Sequence, residues 1–554
     1  MTADIIITNG RVLTMSDDMP RAEAVAVAGN RILAVGRRDD VEALRGPKTE
    51  IVNAEGCSVT PGLIESHVHL FIGAASLSAL DLSGIDDGSR ATTAIRNYAI
   101  AHGDDRLIYA VNGSYAMLGP STDITRQHLD TIMPDRPLAI MDAGMHTVWA
   151  NTLALEAAGI LHGAEMPDGA EIVIGGDGTA TGELREPAAF ATVTALNHTG
   201  GRDAIGYTDG REPMPAPTEA ERRNDRAVLL DGMAYCASKG ITSVHNMDGN
   251  VYTLDLCQEI DEADGFLLRV QVPMHFTNRH AIDDLAVAEE MRRRFASDRV
   301  FSGRVKLFMD GVLEAWTALM REPYPDNPKA RCGQALHDYD DWIELAIEAD
   351  RRGLQIDVHA IGDEAIRRTL DGFAAARRAN GARDSRHRIE HVEITHPDDF
   401  ARIRDLGVIV SIQPSHAPGL VLPADFIRPR LRDAQLPYAW AWDAHRRVSR
   451  AMPFSSDWPV APVDPLFSFR AGMTRQPLEP SLPSHRQTFL QMLAGYTRDA
   501  AFTEFAEDRK GQLKPGMLAD IAVFSDDLEA MPGDEIDQAQ AVLTICDGRI
   551  THCL

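Results

Sequence analysis

The 554-residue sequence has no run of 18 apolar residues, and its start, Met1-Thr2-Ala3-Asp4, has no basic segment backed by an apolar core. The first absence argues against a membrane-spanning helix and the second against a secretory leader, so a cytoplasmic protein is expected. Cysteine is sparse. The six residues Cys57, Cys236, Cys257, Cys332, Cys546 and Cys553 are scattered without a C-x-x-C spacing, which suits reduced thiols and indicates neither a thiolate zinc site nor a disulfide framework. Lys and Arg number 55 against 82 Asp and Glu, and the net charge of -27 disfavours nucleic acid or an anionic membrane as partner. No low-complexity tract is present. What remains, 44% hydrophobic and 25% charged, is the composition of an ordinary globular protein long enough for one large domain plus accessories.

Residues 1–60 read as strands. Ile5 to Thr8 and Val12 to Thr14 flank Asn9-Gly10, a hairpin signal, and Ala24 to Val27 and Arg31 to Val35 flank Gly29-Asn30. The far end echoes this with Ala519 to Phe524, Val542 to Ile545 and Asp547-Gly548-Arg549-Ile550. One small β-sandwich built from residues 1–60 and 501–554 is expected, although two separate hairpins would leave the same trace.

Between these ends, β-rich apolar runs alternate with helical patterns, the mark of a parallel sheet built from βα units. The strand candidates are Ile64 to His69, Ile241 to His245, Leu267 to Val272, Val305 to Met309, Leu354 to His359, Arg388 to His391, Val408 to Ile412 and Pro453 to Asp457. Eight parallel strands with intervening helices favour a (β/α)8 TIM barrel over residues 61–500, because a parallel sheet of that number closes around a core of side chains. In one repeat Trp342, Leu345, Ala346 and Ala349 recur at helical spacing, Gly353 ends the helix, and Leu354, Ile356 and Val358 then alternate with Gln355, Asp357 and His359. About 170 residues separate the first two strand candidates, far more than one crossover needs. A large insertion at about 85–235 is therefore expected; leaving the C-terminal side of the first strand, it would hang over the barrel mouth.

Polar residues collect at the C-terminal ends of these strands. In Ile64-Glu65-Ser66-His67-Val68-His69 the period of two puts His67 and His69 on one face. Lys306, His359, His391 and Asp457 end four other strands. Four imidazoles and a carboxylate at one face suit Zn²⁺, or Mn²⁺, Fe²⁺ or Co²⁺, better than Ca²⁺ or Mg²⁺.

This residue set, in this order, resembles the amidohydrolase superfamily of metal-dependent hydrolases. More narrowly, Pro61 to His69, Val305-Lys306-Leu307-Phe308-Met309-Asp310-Gly311, His359-Ala360-Ile361-Gly362-Asp363, Arg388-Ile389-Glu390-His391 and Ser456-Asp457-Trp458-Pro459-Val460 resemble its branch containing N-substituted formamide deformylase. The resemblance spans nearly the whole chain, including Leu513 to Asp520. It implies one or two divalent ions, zinc foremost: His67, His69 and Asp457 would hold one, His359 and His391 a second, with Lys306 bridging as a carbamate. A free ammonium has no lone pair for a metal, so an unmodified Lys306 leaves one ion as the better expectation. Hydrolysis of an amide or formamide-like C–N bond would then use metal-activated water, with Asp457 as general base or as ligand only.

The partner expected is a small molecule, with a homodimer left open. His146 resembles an Asp-x-His element of that branch which reaches the substrate, but two extra residues separate it from Asp142. Asp310 and Trp316 are candidates for shaping specificity or for packing the rim, and His245 and His416 for lining the pocket or for structural hydrogen bonding. Tyr115, Met117 and Trp149 suit an apolar substrate or a core. Alternatives are an ester, lactone or carbamate hydrolase with the same metal site, or a non-catalytic barrel that binds a small molecule.

Overall fold

The computed structural model describes residues 2–103, 105–119, 123–142, 144–145, 147–166 and 170–554. The chain is mixed α/β and divides into two compact units, Met1–Leu70 with Met233–Leu554, and Phe71–Gly232.

In the first unit, strands from both ends of the sequence share one sheet. Its order is Arg549–Cys553, Ala541–Cys546, Ile521–Phe524, Ser58–Pro61, Arg11–Leu13 and Arg21–Ala22. The seam is antiparallel, with Ile521 opposite Pro61 and Val523 opposite Val59. A second sheet runs Arg31–Gly36, Ala24–Ala28, Ala3–Thr8 and Arg45–Asn53. Ile5, Ile7, Val12, Val25, Val59, Ile521, Val523 and Ile545 bury together in one apolar cluster drawn from both sheets.

The Asn9-Gly10 hairpin does not form. Ala3–Thr8 pairs instead with Ala24–Ala28 and Arg45–Asn53, while Arg11–Leu13 pairs with Arg21–Ala22 and Ser58–Pro61. Asn9 does turn the chain, at φ 56°, but the turn passes it from one sheet to the other. Gly10 is required by close approach, since a Cβ there would lie 2.6 Å from Val59 Cγ2. The two-residue signal encodes local backbone angles and leaves open which edge the next strand joins.

The strands between the termini form two parallel sheets. One runs Val300–Phe301, Arg269–Gln271, Ile241–Asn246, Leu63–Val68; the other runs Met274–His275, Arg304–Phe308, Gln355–Ala360, Arg388–His391, Ile409–Ser411. Two expectations need correction. The Leu267 to Val272 run shortens to Arg269–Gln271 and is followed by the separate strand Met274–His275. Pro453 to Asp457 is not a strand: only isolated parallel bridges form, Phe454 with Ile412 and, just beyond the segment, Trp458 with Val68, because Asp457 at φ 62° leaves the extended conformation. The assigned strands thus fall into two sheets, tied by those bridges, and not into one continuous eight-stranded sheet.

The repeat around residue 350 shows why these elements form. Helix Tyr339–Arg351 buries Trp342, Leu345, Ala346 and Ala349, Gly353 follows at φ +72°, and strand Gln355–Ala360 leads into helix Asp363–Asn380. A Cβ at Gly372 would lie 2.3 Å from the Trp342 ring, so glycine is what lets the two helices approach.

The second unit has its own sheet, Glu171–Ile174, Ala180–Arg185, Thr147–Ala150, Leu138–Asp142, Ile108–Gly113 and Leu80–Asp81. Alternate residues feed two apolar clusters: Ile108, Leu138, Ile140 and Trp149 enter one, Ala139, Met141, Val148 and Ala150 the other. Met117 and Trp149 are core residues here. Among the described residues no helix is long and apolar enough to cross a membrane.

Candidate metal centre

Leu63–Val68 is buried along its whole length, and His67 and His69 emerge at its C-terminal end with ring centroids 5.7 Å apart. Their Nε2 atoms converge: each lies 3.2 Å from Asp457 Oδ1. His391 joins from the strand Arg388–His391, its ring 5.0 Å from that of His67. His67, His391 and Asp457 together bring one ligand atom each within 4.8 Å of one another. This grouping crosses the division into two ion sites that the family resemblance implies.

His359 adjoins them, with its ring 4.4 Å from that of His391, but its Nε2 lies 3.1 Å from the Gly311 carbonyl oxygen. Lys306 is fully buried, its Nζ 4.4 Å from the Phe308 ring centre and without a hydrogen-bond partner among the described residues. Burial lowers its pKa to about 8 against the pull of Glu390 and Asp457. Phe308 lies directly beside His359 in the strand pairing, and Lys306 beside Asp357.

Carboxylates hold the far sides of the two first imidazoles. Glu390 Oε2 lies 2.7 Å from His67 Nδ1, and Asp248 Oδ2 lies 2.7 Å from His69 Nδ1. With Nδ1–H directed at a carboxylate, each ring turns Nε2 toward Asp457, and that nitrogen offers a lone pair once its proton is lost. Glu390 Oε1 accepts from Arg388 Nε at 2.8 Å, and Asp248 Oδ1 from Asn246 Nδ2 at 2.8 Å. Neither carboxylate was among the sequence candidates. The signal for Glu390 is a charged residue alternating with Arg388 on a strand that has no exposed face; Asp248 lies beyond a strand end and carries no such signal.

Two backbone departures assemble this centre. His391 at φ 73° and Val392 at φ 50° break the alternation of the strand, so Glu390 and His391, adjacent in sequence, both reach His67. Left-handed backbone at a β-branched or bulky residue costs roughly 1–3 kcal/mol and persists only where surrounding contacts enforce it. Asp457 is held by its own N–H to the His67 carbonyl at 3.0 Å and by Ser456 N–H to Glu65 Oε1 at 2.8 Å.

Burial alone would raise the Asp457 carboxyl, yet the charge and hydrogen bonding of His67 and His69 outweigh it and hold it well below the usual carboxylate range. His359 and His391 are driven well below the ordinary histidine range, first by burial. The neutral imidazoles of His359 and His391, the ionised Asp457 carboxylate and the buried Lys306 Nζ, without a hydrogen-bond partner among the described residues, are a donor set that fits a divalent ion of the zinc class. His416 stands at the edge of the group, its Nε2 4.0 Å from Asp457 Oδ2 and its ring stacked on His391 at 5.7 Å.

The remaining candidates are placed as follows. Asp310 accepts from the backbone N–H groups of Leu319, Ile361 and Gly362, with Oδ1 3.7 Å from His359 Nε2; burial raises its pKa to about 7. Trp316 donates Nε1–H to Asp326, and the Arg430 guanidinium lies 4.3 Å from its ring centre. His245 is fully buried between Arg388 and Glu504. His146 lies outside the described residues.

A profile described as the amidohydrolase family matches residues 50–552. The chain is 26% identical over 570 residues to the N-substituted formamide deformylase of Arthrobacter pascens, covering 99% of this chain and 98% of that one. It is 29% identical over 546 residues to the protein LONG AFTER FAR-RED 3 of Arabidopsis thaliana, covering 95% and 88%. Among solved structures it is similar to an uncharacterized metal-dependent hydrolase of Pyrococcus furiosus, at 25% identity and a TM-score of 0.69 over 93% of this chain and 97% of that one.

Proposed function

The chain belongs to the amidohydrolase family, and from that premise we propose that it is a metal-dependent hydrolase cleaving the C–N bond of an amide or formamide with an apolar N-substituent. The observation that carries this reading is the convergence of His67, His391 and Asp457 within 4.8 Å on one buried point, backed by Glu390 and Asp248. The kinship to a formamide deformylase over nearly the full length of both chains supports the choice of bond. In this reading the parallel strands and the Phe454–Trp458 segment make up a (β/α)8 barrel, and the terminal strands a sandwich beside it.

His67, His69 and Asp457 would hold one ion. A second would take His359 and His391 with Lys306 as a bridging carbamate. That requires His359 Nε2 to leave the Gly311 carbonyl, and Lys306, as the free amine that its depressed pKa makes accessible, to add through Nζ to CO2 with loss of a proton. When bound, a divalent ion supplies Lewis acidity that polarises a carbonyl and makes water more acidic.

The protein's own groups do the rest. Asp457, ionised at neutral pH, accepts the proton of the attacking water and returns it to the leaving nitrogen, which departs as an amine because an amide anion is a poor leaving group. Glu390 and Asp248 keep the two first imidazoles aimed through Nε2. His416 Nε2, a buried nitrogen without a hydrogen-bond partner among the described residues, is placed to orient the second oxygen of Asp457.

The test is elemental analysis of the purified chain together with hydrolysis of a panel of N-substituted formamides, amides, esters, lactones and carbamates. Bound divalent metal and turnover confined to C–N substrates are expected. Full activity after exhaustive chelation would sink the metal mechanism, and preference for esters would move the reading to another bond.

A further inference from the structure

Beneath the centre, a line of buried polar side chains runs away from His67, and the mechanism above uses none of it beyond Glu390. Glu390 Oε2 meets His67 Nδ1 at 2.7 Å, and Arg388 Nε donates to Glu390 Oε1 at 2.8 Å. Arg388 Nη2 donates to the Ser66 carbonyl at 2.9 Å and to Ser411 Oγ at 3.0 Å, while its Nη1 faces His245 Nδ1 at 3.2 Å. On the other side of that imidazole, His245 Nε2 faces Glu504 Oε1 at 3.4 Å, the loosest link, electrostatic and not a formed hydrogen bond. Lys510 Nζ closes the line, 2.7 Å from Glu504 Oε1 and 2.6 Å from Ser243 Oγ. Arg388, Glu390 and His245 are fully buried.

Donor counting sets the position of the proton on His245. A guanidinium only donates, so His245 Nδ1 must accept, and the proton of the neutral ring sits on Nε2, toward the Glu504 carboxylate. Burial keeps His245 neutral, with a pKa lowered to about 3 despite the attraction of Glu504. Four of the five N–H groups of Arg388 are engaged, by His245, Ser66, Ser411 and Glu390, and Asp357 Oδ2 lies 3.8 Å from its Nε; together they fix the guanidinium with Nε on Glu390. Glu390 in turn has one oxygen committed to Arg388 and the other free for His67 Nδ1–H. The line cannot conduct protons, because an arginine does not release one; it can only orient.

We propose that His245, through Arg388 and Glu390, is a remote positioning residue that locks the tautomer and ring orientation of His67, with Glu504 holding the His245 proton on Nε2. This rests on the reading of His67 as a metal ligand and extends it to residues that touch neither ion nor substrate. A second-layer partner of a metal-bound imidazole alters affinity about 10- to 100-fold, and a residue one step further out acts through the same bond.

The experiment uses the full chain loaded with Co²⁺ or Zn²⁺, with metal affinity measured by chelator competition and coordination by the visible spectrum of the cobalt form. His245→Gln keeps an acceptor for Arg388 and a donor for Glu504, whereas His245→Leu keeps neither. The expected result is roughly tenfold weaker metal binding and a shifted cobalt spectrum for His245→Leu, with His245→Gln within about threefold of the parent. Parent-like affinity and spectrum in folded His245→Leu, or equal losses in both variants, overturns the proposal. Should His245→Leu fail to fold, His245→Met, which offers Arg388 only a weak acceptor and Glu504 no donor, decides by the same two readouts: weaker binding with a shifted spectrum supports the chain, and parent values overturn it. A parent chain that binds no metal overturns the metal-centre reading itself, and this proposal with it.

Discussion

Glu390 and His391 are consecutive in the chain, yet both turn to the same imidazole: Glu390 Oε2 lies 2.7 Å from His67 Nδ1, and the His391 ring lies 5.0 Å from the His67 ring. Regular strand geometry would send them to opposite faces. The left-handed backbone at His391 and Val392 brings them together and places a proposed ligand and the support of another proposed ligand on one short strand.

Asp457 is the proposed base, so Asp457→Asn, which keeps the shape and removes the charge, is expected to lower kcat/KM about 10²- to 10⁴-fold. Steady-state hydrolysis with the metal-loaded variant checks this. If metal content also falls to zero, the residue acts chiefly as a ligand; if activity stays at the parent level, the assignment is wrong.

Asp248 supports His69 as Glu390 supports His67. Asp248→Asn leaves a weaker acceptor opposite Nδ1, and metal affinity is expected to drop about tenfold with the fold intact. Chelator competition measures it, and an unchanged affinity would show that His69 is not held through this bond.

Gly372 matters for packing alone. A methyl group there meets the fully buried Trp342 ring, itself pinned by Nε1–H to the Arg368 carbonyl at 2.7 Å. Gly372→Ala is expected to destabilise the chain by about 1–3 kcal/mol and lower its thermal midpoint. Metal content per folded chain should not change, which separates this effect from those at the centre.

Acid should weaken the chain through Asp350. Burial would raise this carboxyl, but hydrogen bonds from His387 and Asn380 and the charge of Arg383 hold it below its unfolded value of about 4. A folded pKa below the unfolded one contributes stability that is complete above about pH 4 and is lost as pH falls below it. His387, whose pKa burial lowers, adds to the loss because the unfolded chain protonates it first. Urea unfolding at pH 7 and pH 3 is expected to show a smaller difference for Asp350→Asn than for the parent; an equal or larger one would count against this account.

Arg269 joins the parallel strands to the terminal sheet by buried ion pairs to Asp520 at 2.8 Å and Asp547 at 2.9 Å. Asp520→Ala leaves the guanidinium one carboxylate short in a dry site and is expected to cost about 3 kcal/mol. A chemical denaturation midpoint equal to that of the parent would show that Asp547 alone suffices.

Some of this was written in the residues themselves. The Trp342 helix, the Gly353 stop and the alternating strand after it follow from periods of 3.6 and two, which short segments encode without help from the rest of the chain. The placement of His67 and His69 on one side of a strand end is of the same kind, and so are the turns at Gly29 and at Asp547-Gly548. Which edge a strand joins is different, because it depends on apolar surfaces that meet only after folding. For that reason Asn9-Gly10 turns the chain but makes no hairpin, and Pro453 to Asp457 bridges two sheets without becoming a strand. The tertiary structure alone decided that Glu390, Asp248 and His245 stand behind the two imidazoles, since their partners lie 179 to 323 residues away in the cases of Asp248 and Glu390. No local pattern spans such a distance; only the packing that buries these charges requires each to find the other.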